Sequence, residues 1–205
     1  MPLKRLAVIT IIVIGGLATA GVILASGWTP TIPADAASAV IARTAVEGRA
    51  SSDCLDRIER QGGWLDLCWH ALRQQDGDPA KDYYILRVVG TLDGERGGVR
   101  WSAIRARLVD APAADAVFDG WPSGTIDGPC QAHPVSLLVA PDPASEEVCG
   151  RTSGEFIATW DYRVTWTCVD CVVPDRSARP VALYFSVAVP EGRVPNWEIG
   201  ADFGS

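Results

Sequence analysis

Residues suited to metal or redox chemistry are scarce in this sequence. It has two histidines, His70 and His133, and a single Cys-x-x-Cys motif, which runs from Cys168 to Cys171. A structural zinc ion normally takes four Cys or His ligands, so a complete site would have to recruit histidines or distant cysteines. We therefore expect neither a metal ion nor a cofactor. We expect His70 to face solvent or a hydrogen-bonding neighbour, and His133, which precedes Pro134, to lie in a loop.

Signatures of three common chemistries are also missing. Ser123 and Ser153 each lie one residue away from the Gly-x-Ser-x-Gly pattern of serine hydrolases. The loop 76–82 lacks the third acidic ligand and the glycine spacing of an EF-hand. Cys168 ends a strand pattern and does not open a helix, so the helix dipole that makes such thiols reactive is absent. The motif is interpreted as a structural disulfide, with a redox pair and half a zinc site as the alternatives.

Positive charge is sparse around the N-terminal apolar segment. Lys4 and Arg5 precede it, and no other Lys or Arg follows until Arg43. Without Lys4 and Arg5, 16 of the 18 basic residues remain against 25 acidic residues, so the rest of the chain has a formal charge of −9. An acidic surface repels phosphate groups. Nucleic acid and anionic lipid headgroups are therefore not expected as partners.

The N-terminal segment is apolar and long enough to cross a membrane. Leu6 to Ala25 contains no charged residue, and a helix of this length spans roughly 30 Å, the thickness of the hydrocarbon core. The basic residues before it place the N-terminus in the cytoplasm by the positive-inside rule. We expect a cytoplasmic stub at residues 1–5, a single-pass signal anchor at residues 6–25, and an extracytoplasmic domain after them.

A cleaved signal peptide is the alternative for this segment, and it would make the protein secreted. Ala18 to Ala20 and Ala34 to Ala36 both fit the small-residue pattern of a cleavage site. However, apolar residues continue past Ala20, and Ala36 lies well beyond the end of the run. We therefore favour an uncut membrane anchor.

All six cysteines follow the anchor: Cys54, Cys68, Cys130, Cys149, Cys168 and Cys171. An even number of cysteines in an oxidising compartment indicates disulfide bonds. The sequence alone leaves several pairings open. We expect nearest neighbours to pair, which joins residues 54 and 68, 130 and 149, and 168 and 171.

Hydropathy alternates with a period of two along much of the chain, which only a strand satisfies. A long strand is predicted from Glu155 to Cys168, and a strand at Val181 to Val189 is expected to pair with it. A three-stranded meander is predicted between Trp64 and Val109, and further strands at residues 135–140 and 197–203. About seven strands without a long helix favour a mainly β fold, an antiparallel, disulfide-stapled β-sandwich.

Residues 26–52 have a different composition, rich in Ala, Pro and Thr, and are interpreted as a tether. A short helix is predicted within the tether at Ser38 to Glu47. A second short helix is predicted at Asp53 to Gln61, because two glycines follow it. The β-domain is therefore expected to span residues 53–205.

The segment 110–133 is predicted to be a loop, and it is too long for a plain connection between strands. Long loops with aromatic residues and carboxylates often form contact surfaces. We expect Trp121 either to contribute to such a surface or to cover one end of the sandwich. The candidates for the binding surface are Asp115, Phe118, Asp119, Trp121, Asp127 and His133.

Aromatic residues also alternate within the predicted long strand, at Trp160, Tyr162 and Trp166. A row of this kind can form a platform for stacking sugar rings. Strict alternation is more typical of the buried face of a strand. We therefore assign this row to the core.

These features predict a membrane-anchored extracytoplasmic binding or structural module, whose partner is an extracytoplasmic protein or a glycan. The alternative is an exported, hydrolase-like enzyme that uses carboxylates or a histidine of the segment 110–133. An enzyme needs a concave pocket where two titratable groups converge, and a binding module does not. The sequence indicates no catalytic residue, and we favour the binding module.

The uncut anchor can be tested by mass spectrometry of the membrane-extracted protein. If residues 6–25 span the membrane, the peptide that begins at Met1 will be recovered, because no signal peptidase has removed it. A mature N-terminus at Gly21 or Ala37 would contradict the anchor and indicate a secreted protein.

Overall fold

The computed structural model describes residues 30–46, 48–60, 62–74, 78–94, 98–109, 117–137, 144–168 and 178–205. These residues form twelve strands and no helix. The strands are β1 (Val40–Ala45), β2 (Ala50–Cys54), β3 (Ile58–Arg60), β4 (Gly63–Gln74), β5 (Lys81–Gly94), β6 (Trp101–Leu108), β7 (Val117–Trp121), β8 (Gly124–Pro134), β9 (Ser145–Ala158), β10 (Asp161–Thr167), β11 (Arg179–Pro190) and β12 (Asn196–Gly204).

The predicted membrane anchor, residues 6–25, lies outside the described residues, so its structure remains a prediction. Within the ranges that the structure describes, no helix is long and apolar enough to cross a membrane. The candidates Asp115 and Cys171 also lie outside these ranges.

The strands form two antiparallel sheets. Sheet A has the order β1-β12-β6-β10-β9-β8, and sheet B has the order β2-β4-β5-β11-β7, with β3 also paired to β4. The prediction of a mainly β, antiparallel fold is confirmed, but the count of about seven strands was too low. Strands such as β2 and β8 are exposed along most of their length, so they lack the alternating hydrophobic pattern that identified the others.

One hydrophobic core contains the inward-facing side chains of both sheets. In β12, Trp197, Ile199, Ala201 and Phe203 are all buried, as the alternation of that strand predicts. In β11, the buried row at residues 181, 183, 185, 187 and 189 likewise confirms the predicted strand. The core therefore lies between the two sheets, and the period-two pattern identified its centre.

The predicted long strand from Glu155 to Cys168 is a hairpin of β9 and β10. Ala158 pairs with Asp161, and the intervening turn exposes Trp160, whereas Tyr162 and Trp166 are buried as predicted. The register shifts between Asp161 and Tyr162, so Tyr162 pairs with Phe156, and the even-numbered positions of both strands lie on the same face. The alternation therefore continues through the turn, and the sequence pattern could not reveal it.

Two predicted strand pairings were wrong. The strand after the hairpin, β11, lies in sheet B and does not pair with β10. In the predicted meander, β4 pairs with β5, but β6 lies in sheet A between β12 and β10. The pattern of buried residues identifies a strand and its inner face, but it does not show which sheet the strand joins.

The two predicted short helices are also strands. Val40–Ala45 forms β1, which pairs with β12, and the second segment contributes to β2 and β3. The cross-strand partners in β12 and β4 therefore outweigh the weak local helix preference. Residues 40–52, assigned to the tether from their composition, thus contribute strands to both sheets.

The segment before β1 crosses the outer face of sheet A. Arg163 donates to the carbonyl oxygen of Ala34 at 3.1 Å, and Arg105 donates to Ser38 Oγ at 3.0 Å. The carbonyl oxygen of Ala37 lies against Gly200, where a side chain would collide with it. These contacts attach the segment before β1 to sheet A.

Two of the predicted disulfides are present, Cys54–Cys68 between β2 and β4 and Cys130–Cys149 between β8 and β9. Each joins neighbouring strands of one sheet. Cys168 is also disulfide-bonded, and its pairing with Cys171 stays a prediction because Cys171 lies outside the described residues.

Charges of alternating sign cross the outer face of sheet A. The strand register places Arg43, Glu198, Arg107 and Asp161 side by side on β1, β12, β6 and β10. Glu198 is buried and accepts hydrogen bonds from Arg107 and, at 2.7 and 3.0 Å, from Arg43. These bonds, that of Arg107 first, lower the pKa of Glu198 below its ordinary value of 4.5.

Replacing Glu198 with Gln will reduce thermal stability at neutral pH, and the difference will shrink below about pH 4.5. The lowered pKa means that the carboxylate contributes its full stability above the unfolded-state pKa and loses it as pH falls through the folded-state pKa. Melting curves of both proteins from about pH 3 to pH 8 measure the effect. The matched control is Asp127→Asn, which removes a half-exposed ion pair with Arg151 and should change little. A difference between wild type and Glu198→Gln that is independent of pH would contradict this account.

Candidate ligand-binding site

The segment 110–133, predicted to be a loop, contains two strands in its described part. β7 forms an edge of sheet B beside β11, and β8 forms an edge of sheet A beside β9. The chain passes from one sheet to the other through a corner that includes the cis peptide Trp121–Pro122. The loop prediction was wrong because glycine, proline and exposed polar residues obscure both strands. The strand predicted at residues 135–140 is not formed at residues 135–137.

Tyr162 of β10 positions β7 against sheet A. A Cβ atom at Gly120 would lie 2.5 Å from the Tyr162 ring, so only glycine allows this approach. The Tyr162 hydroxyl donates to the carbonyl oxygen of Pro122. Burial first, then the charges of Asp119 and Glu155, raise the pKa of Tyr162, so the hydroxyl stays protonated and remains a donor. The edge of sheet B is thereby attached to the core.

The outer face of sheet B has a shallow centre near β7. The register places Tyr83, Ala188 and Val117 in one row across β5, β11 and β7. The next row contains Ile85, Ser186 and Asp119. Because β11 contributes only small side chains to these rows, the larger residues of β5 and β7 form walls on either side of it.

A cavity of about 220 Å³ occupies this depression. We call it the smaller cavity, and its lining residues are Lys81, Tyr83, Val117, Phe118, Asp119, Ser186 and Ala188. Ser186 and Ala188 are buried although they lie on the outer face. They form the floor of the cavity.

A second cavity, of about 470 Å³, adjoins it at the end of the sheet. This larger cavity is lined by Arg49, Arg73, Gln74, Asp78, Lys81, Asp82 and Glu191. Lys81 lines both cavities. It is also the only lysine after Lys4 in the whole sequence, although arginine is common elsewhere.

Local hydrogen bonds hold the wall of the larger cavity in place. Asp82 is buried; one of its oxygens accepts from Arg73 at 2.5 Å and the other from the backbone N–H of Gly192 at 2.8 Å. Asp78 accepts from the N–H of Ala80 at 2.9 Å and lies 3.5 Å from the Tyr83 hydroxyl. Asp82 thereby joins β5 to β4 and to the β11–β12 turn, which fixes the wall from both sides.

The end of the β8–β9 hairpin that contains Glu146 covers part of the outer face of sheet B, at the row formed by Arg87 and Tyr184. Glu146 of β9 accepts hydrogen bonds from Tyr184 and, at 2.8 and 3.1 Å, from Arg87. Burial first, and then the bond to Glu146, raise the pKa of Tyr184. Trp121 packs edge-on against Tyr184, with the ring centroids 5.8 Å apart, in a second small hydrophobic cluster. The hairpin therefore marks the limit of the open surface.

The structure brings two of the candidate residues to the smaller cavity, Phe118 and Asp119. Phe118 is half-buried and stacks on Phe185, with the ring centroids 6.0 Å apart. Asp119 accepts from the N–H of Gly120 at 2.8 Å. These two residues are neighbours on β7, so their side chains point to opposite faces of sheet B. Asp119 faces the cavity, whereas the side chain of Phe118 packs against the core.

Three other candidates lie away from the cavity. Trp121 is 5% exposed and donates to the carbonyl oxygen of Pro134 at 3.0 Å, so it fills space in the second cluster. Asp127 pairs with Arg151 at 2.7 Å on the outside of sheet A. His133 lies opposite Glu146 on β8. The candidate set is therefore divided between two sheets.

Sequence reasoning missed the residues on β5 and β11, above all Lys81 and Tyr83. Two signals were present. Apart from Lys4, Lys81 is the only lysine in a chain that otherwise uses arginine. Strand β11 alternates large residues on its inner face with small ones, Ser186 and Ala188, on its outer face. A strand with small outer residues between bulkier neighbours produces a depression in a sheet.

The described lining of the two cavities contains no activated serine. Of the described residues that line them, none is a histidine or a cysteine, and the only hydroxyl nucleophile of serine type is Ser186. The Ser186 hydroxyl lies 3.5 Å from a backbone carbonyl oxygen, that of Asp119, and a carbonyl oxygen is not a general base. The arrangement offers many hydrogen-bonding groups and no activated serine.

A metal site is not formed by the one cluster of potential ligands in the described part of the chain. Cys130, Glu147 and Cys149 place their ligand atoms within 4.8 Å of one another. The two sulfur atoms are bonded to each other. They therefore cannot act as thiolate ligands.

Comparison with protein-family models and with curated proteins gave no match.

Replacing Gly120 with Ala will destabilise the domain by about 1–3 kcal/mol, because the new methyl group collides with the Tyr162 ring. Urea denaturation measures the loss. The control is Val117→Ala on the same strand, whose side chain is 44% exposed and whose replacement should cost less than about 0.5 kcal/mol. Equal stability of Gly120→Ala and wild type would show that β7 is not held against Tyr162.

Proposed function

We propose that this protein is a membrane-anchored extracytoplasmic binding module, and that its ligand occupies the two cavities that meet at Lys81. We further interpret the two sheets and their common core as a β-sandwich. On this proposal residues 6–25 hold the domain at the membrane, and the outer face of sheet B presents the site to an extracytoplasmic protein or glycan.

The observation that carries the proposal is the junction at Lys81. A single ammonium group lines a smaller cavity with aromatic and apolar walls and a larger cavity with charged walls. Binding sites combine an apolar surface with a few polar groups that fix the ligand's orientation. The larger cavity lies within the size range of ligand sites, roughly 300–1,000 Å³.

Two further observations support an extracytoplasmic location. Both described disulfides join exposed or half-exposed strands, and disulfides persist in oxidising compartments. All the cysteines follow the proposed anchor in the sequence. This arrangement is expected if everything after residue 25 is exported.

The hydrolase alternative has less support. It places carboxylates or a histidine of the segment 110–133 at a pocket, whereas His133 lies beside Glu146, and Glu146 already binds Arg87 and Tyr184. Asp119 is the one carboxylate of the segment 110–133 that lines the smaller cavity. Its neighbours there include no second carboxylate.

The test uses full-length protein, immobilised in detergent and incubated with the soluble extracytoplasmic fraction of the source cells. Wild type should retain a component, protein or glycan, that the double variant Lys81→Gln/Tyr83→Ala does not retain, because both side chains line the site. Proteomic and carbohydrate analysis of the eluate identifies it.

The matched control is Arg151→Gln, which removes one positive charge from the outside of sheet A and should leave retention unchanged. Melting curves establish that each variant is folded. Retention that is equal for wild type and for the double variant would place the binding surface elsewhere and contradict the proposal.

A further inference from the structure

We infer that the ligand of this site is an uncharged oligosaccharide. The inference rests on the proposed function, and it concerns the chemical class of the ligand. It follows from the charge balance of the two cavities, from their mixture of donors and acceptors, and from the aromatic residue beside their junction.

Each cavity is electrically balanced. The larger cavity has three cationic side chains, Arg49, Arg73 and Lys81, and three anionic ones, Asp78, Asp82 and Glu191. The smaller cavity has one of each sign, Lys81 and Asp119. Lys81 is common to both, so the two cavities together have three cationic and four anionic side chains. A charged ligand therefore meets groups of both signs in nearly equal number and gains little net attraction, whereas an uncharged ligand does not depend on this balance.

Arg73 and Asp82 are already bonded to each other, and the other polar side chains suit a ligand rich in hydroxyl groups. Lysine and arginine only donate hydrogen bonds, ionised carboxylates only accept them, and the amide of Gln74 does both. A hydroxyl group donates and accepts at once, so neighbouring hydroxyls of a sugar can use both kinds of partner. Charged partners also make stronger hydrogen bonds than neutral ones. A polyol therefore matches a wall of interleaved charges.

The smaller cavity supplies the apolar contact that a sugar ring requires. Tyr83 stands on one side, Val117 on the other, and Ala188 forms the floor between them. The C–H face of a sugar is apolar, and covering it with an aromatic side chain removes apolar area from water. One sugar unit against Tyr83 would direct the next towards the charged wall through Lys81.

A basic peptide is the strongest competitor, because the exported part of the chain has a formal charge of −9. Its attraction would come mainly from the domain as a whole, since the two cavities together, with three cationic and four anionic side chains, have a formal charge of only −1. Affinity based on such long-range attraction falls as salt rises. Salt dependence therefore separates the two ligand classes.

The experiment titrates full-length protein, in a detergent without a sugar headgroup, with three sets of probes. Neutral probes are cellotetraose, xylotetraose, mannotetraose and chitotetraose; acidic probes are tetragalacturonate and a heparin tetrasaccharide; peptide probes are tetralysine and tetraglutamate. Calorimetry at about 50 and 500 mM NaCl spans a roughly threefold change in screening length.

We expect at least one neutral tetrasaccharide to bind, with a Kd that changes less than about twofold between the two salt concentrations. Tyr83→Ala should weaken this binding by about tenfold or more, whereas Tyr83→Phe should retain most of it. Lys81→Gln should reduce affinity without introducing salt dependence, because glutamine still donates and accepts hydrogen bonds. Arg151→Gln should have no effect.

Two results would overturn the inference. If none of the neutral probes binds, the ligand is not of this class. If only acidic sugars or peptides bind, with an affinity that falls at high salt, the ligand is charged. In either case the proposed function stands if the immobilised protein still retains a component through Lys81 and Tyr83. The proposed function itself fails if retention does not depend on these two residues.

Discussion

The contact of Tyr162 with β7 is the constraint on which the site depends. The ring lies against Gly120 where no side chain fits, and the hydroxyl donates to Pro122. This contact holds the corner where the chain passes from sheet B to sheet A, and it fixes β7 as the edge of sheet B next to β11. Without β7 in this position, Val117 and Asp119 would not face Tyr83 across the small residues of β11, and the smaller cavity would have only one wall.

The two faces of sheet B therefore differ in what they contact. Its inner face contributes large side chains to the common core, where Phe185 contacts both Tyr162 and Phe118. Its outer face is covered in part by the β8–β9 hairpin, which Glu146 attaches to Arg87 and Tyr184. The uncovered part contains the smaller cavity, which continues at Lys81 into the larger one. The outer face of sheet A, in contrast, carries paired charges, such as those around Glu198, that satisfy one another.

Sequence patterns predicted the strands that alternate large apolar residues on the inner face with mostly small or polar residues on the outer face. Alternation located β11 and β12, and even cysteine number with neighbour pairing predicted Cys54–Cys68 and Cys130–Cys149. Alternation did not reveal the β9–β10 turn, because the register shift between Asp161 and Tyr162 keeps the even-numbered positions of both strands on one face. It did not reveal β8, because most of its residues are exposed, or β7, because this strand has only five residues and carries Gly120 on its inner face. Phe118 and Asp119 were among the predicted candidates because they lie in a segment with aromatic residues and carboxylates, a composition typical of contact surfaces. Lys81 and Tyr83 were missed because a cavity on a sheet face arises from three strands, and residues 83, 117 and 188 become neighbours only after folding.

The central claim is that Lys81 lies in an exported ligand site while the N-terminus stays in the cytoplasm. Because Lys4 and Lys81 are the only lysines, a membrane-impermeant amine-acetylating reagent can test both parts of the claim in sealed, right-side-out membrane vesicles. Mass spectrometry of the labelled protein should show acetylation at Lys81 and none at Lys4, and a ligand retained by the protein should slow the reaction at Lys81. Labelling of Lys4 with protection of Lys81, or a rate at Lys81 that bound ligand does not change, would contradict the account.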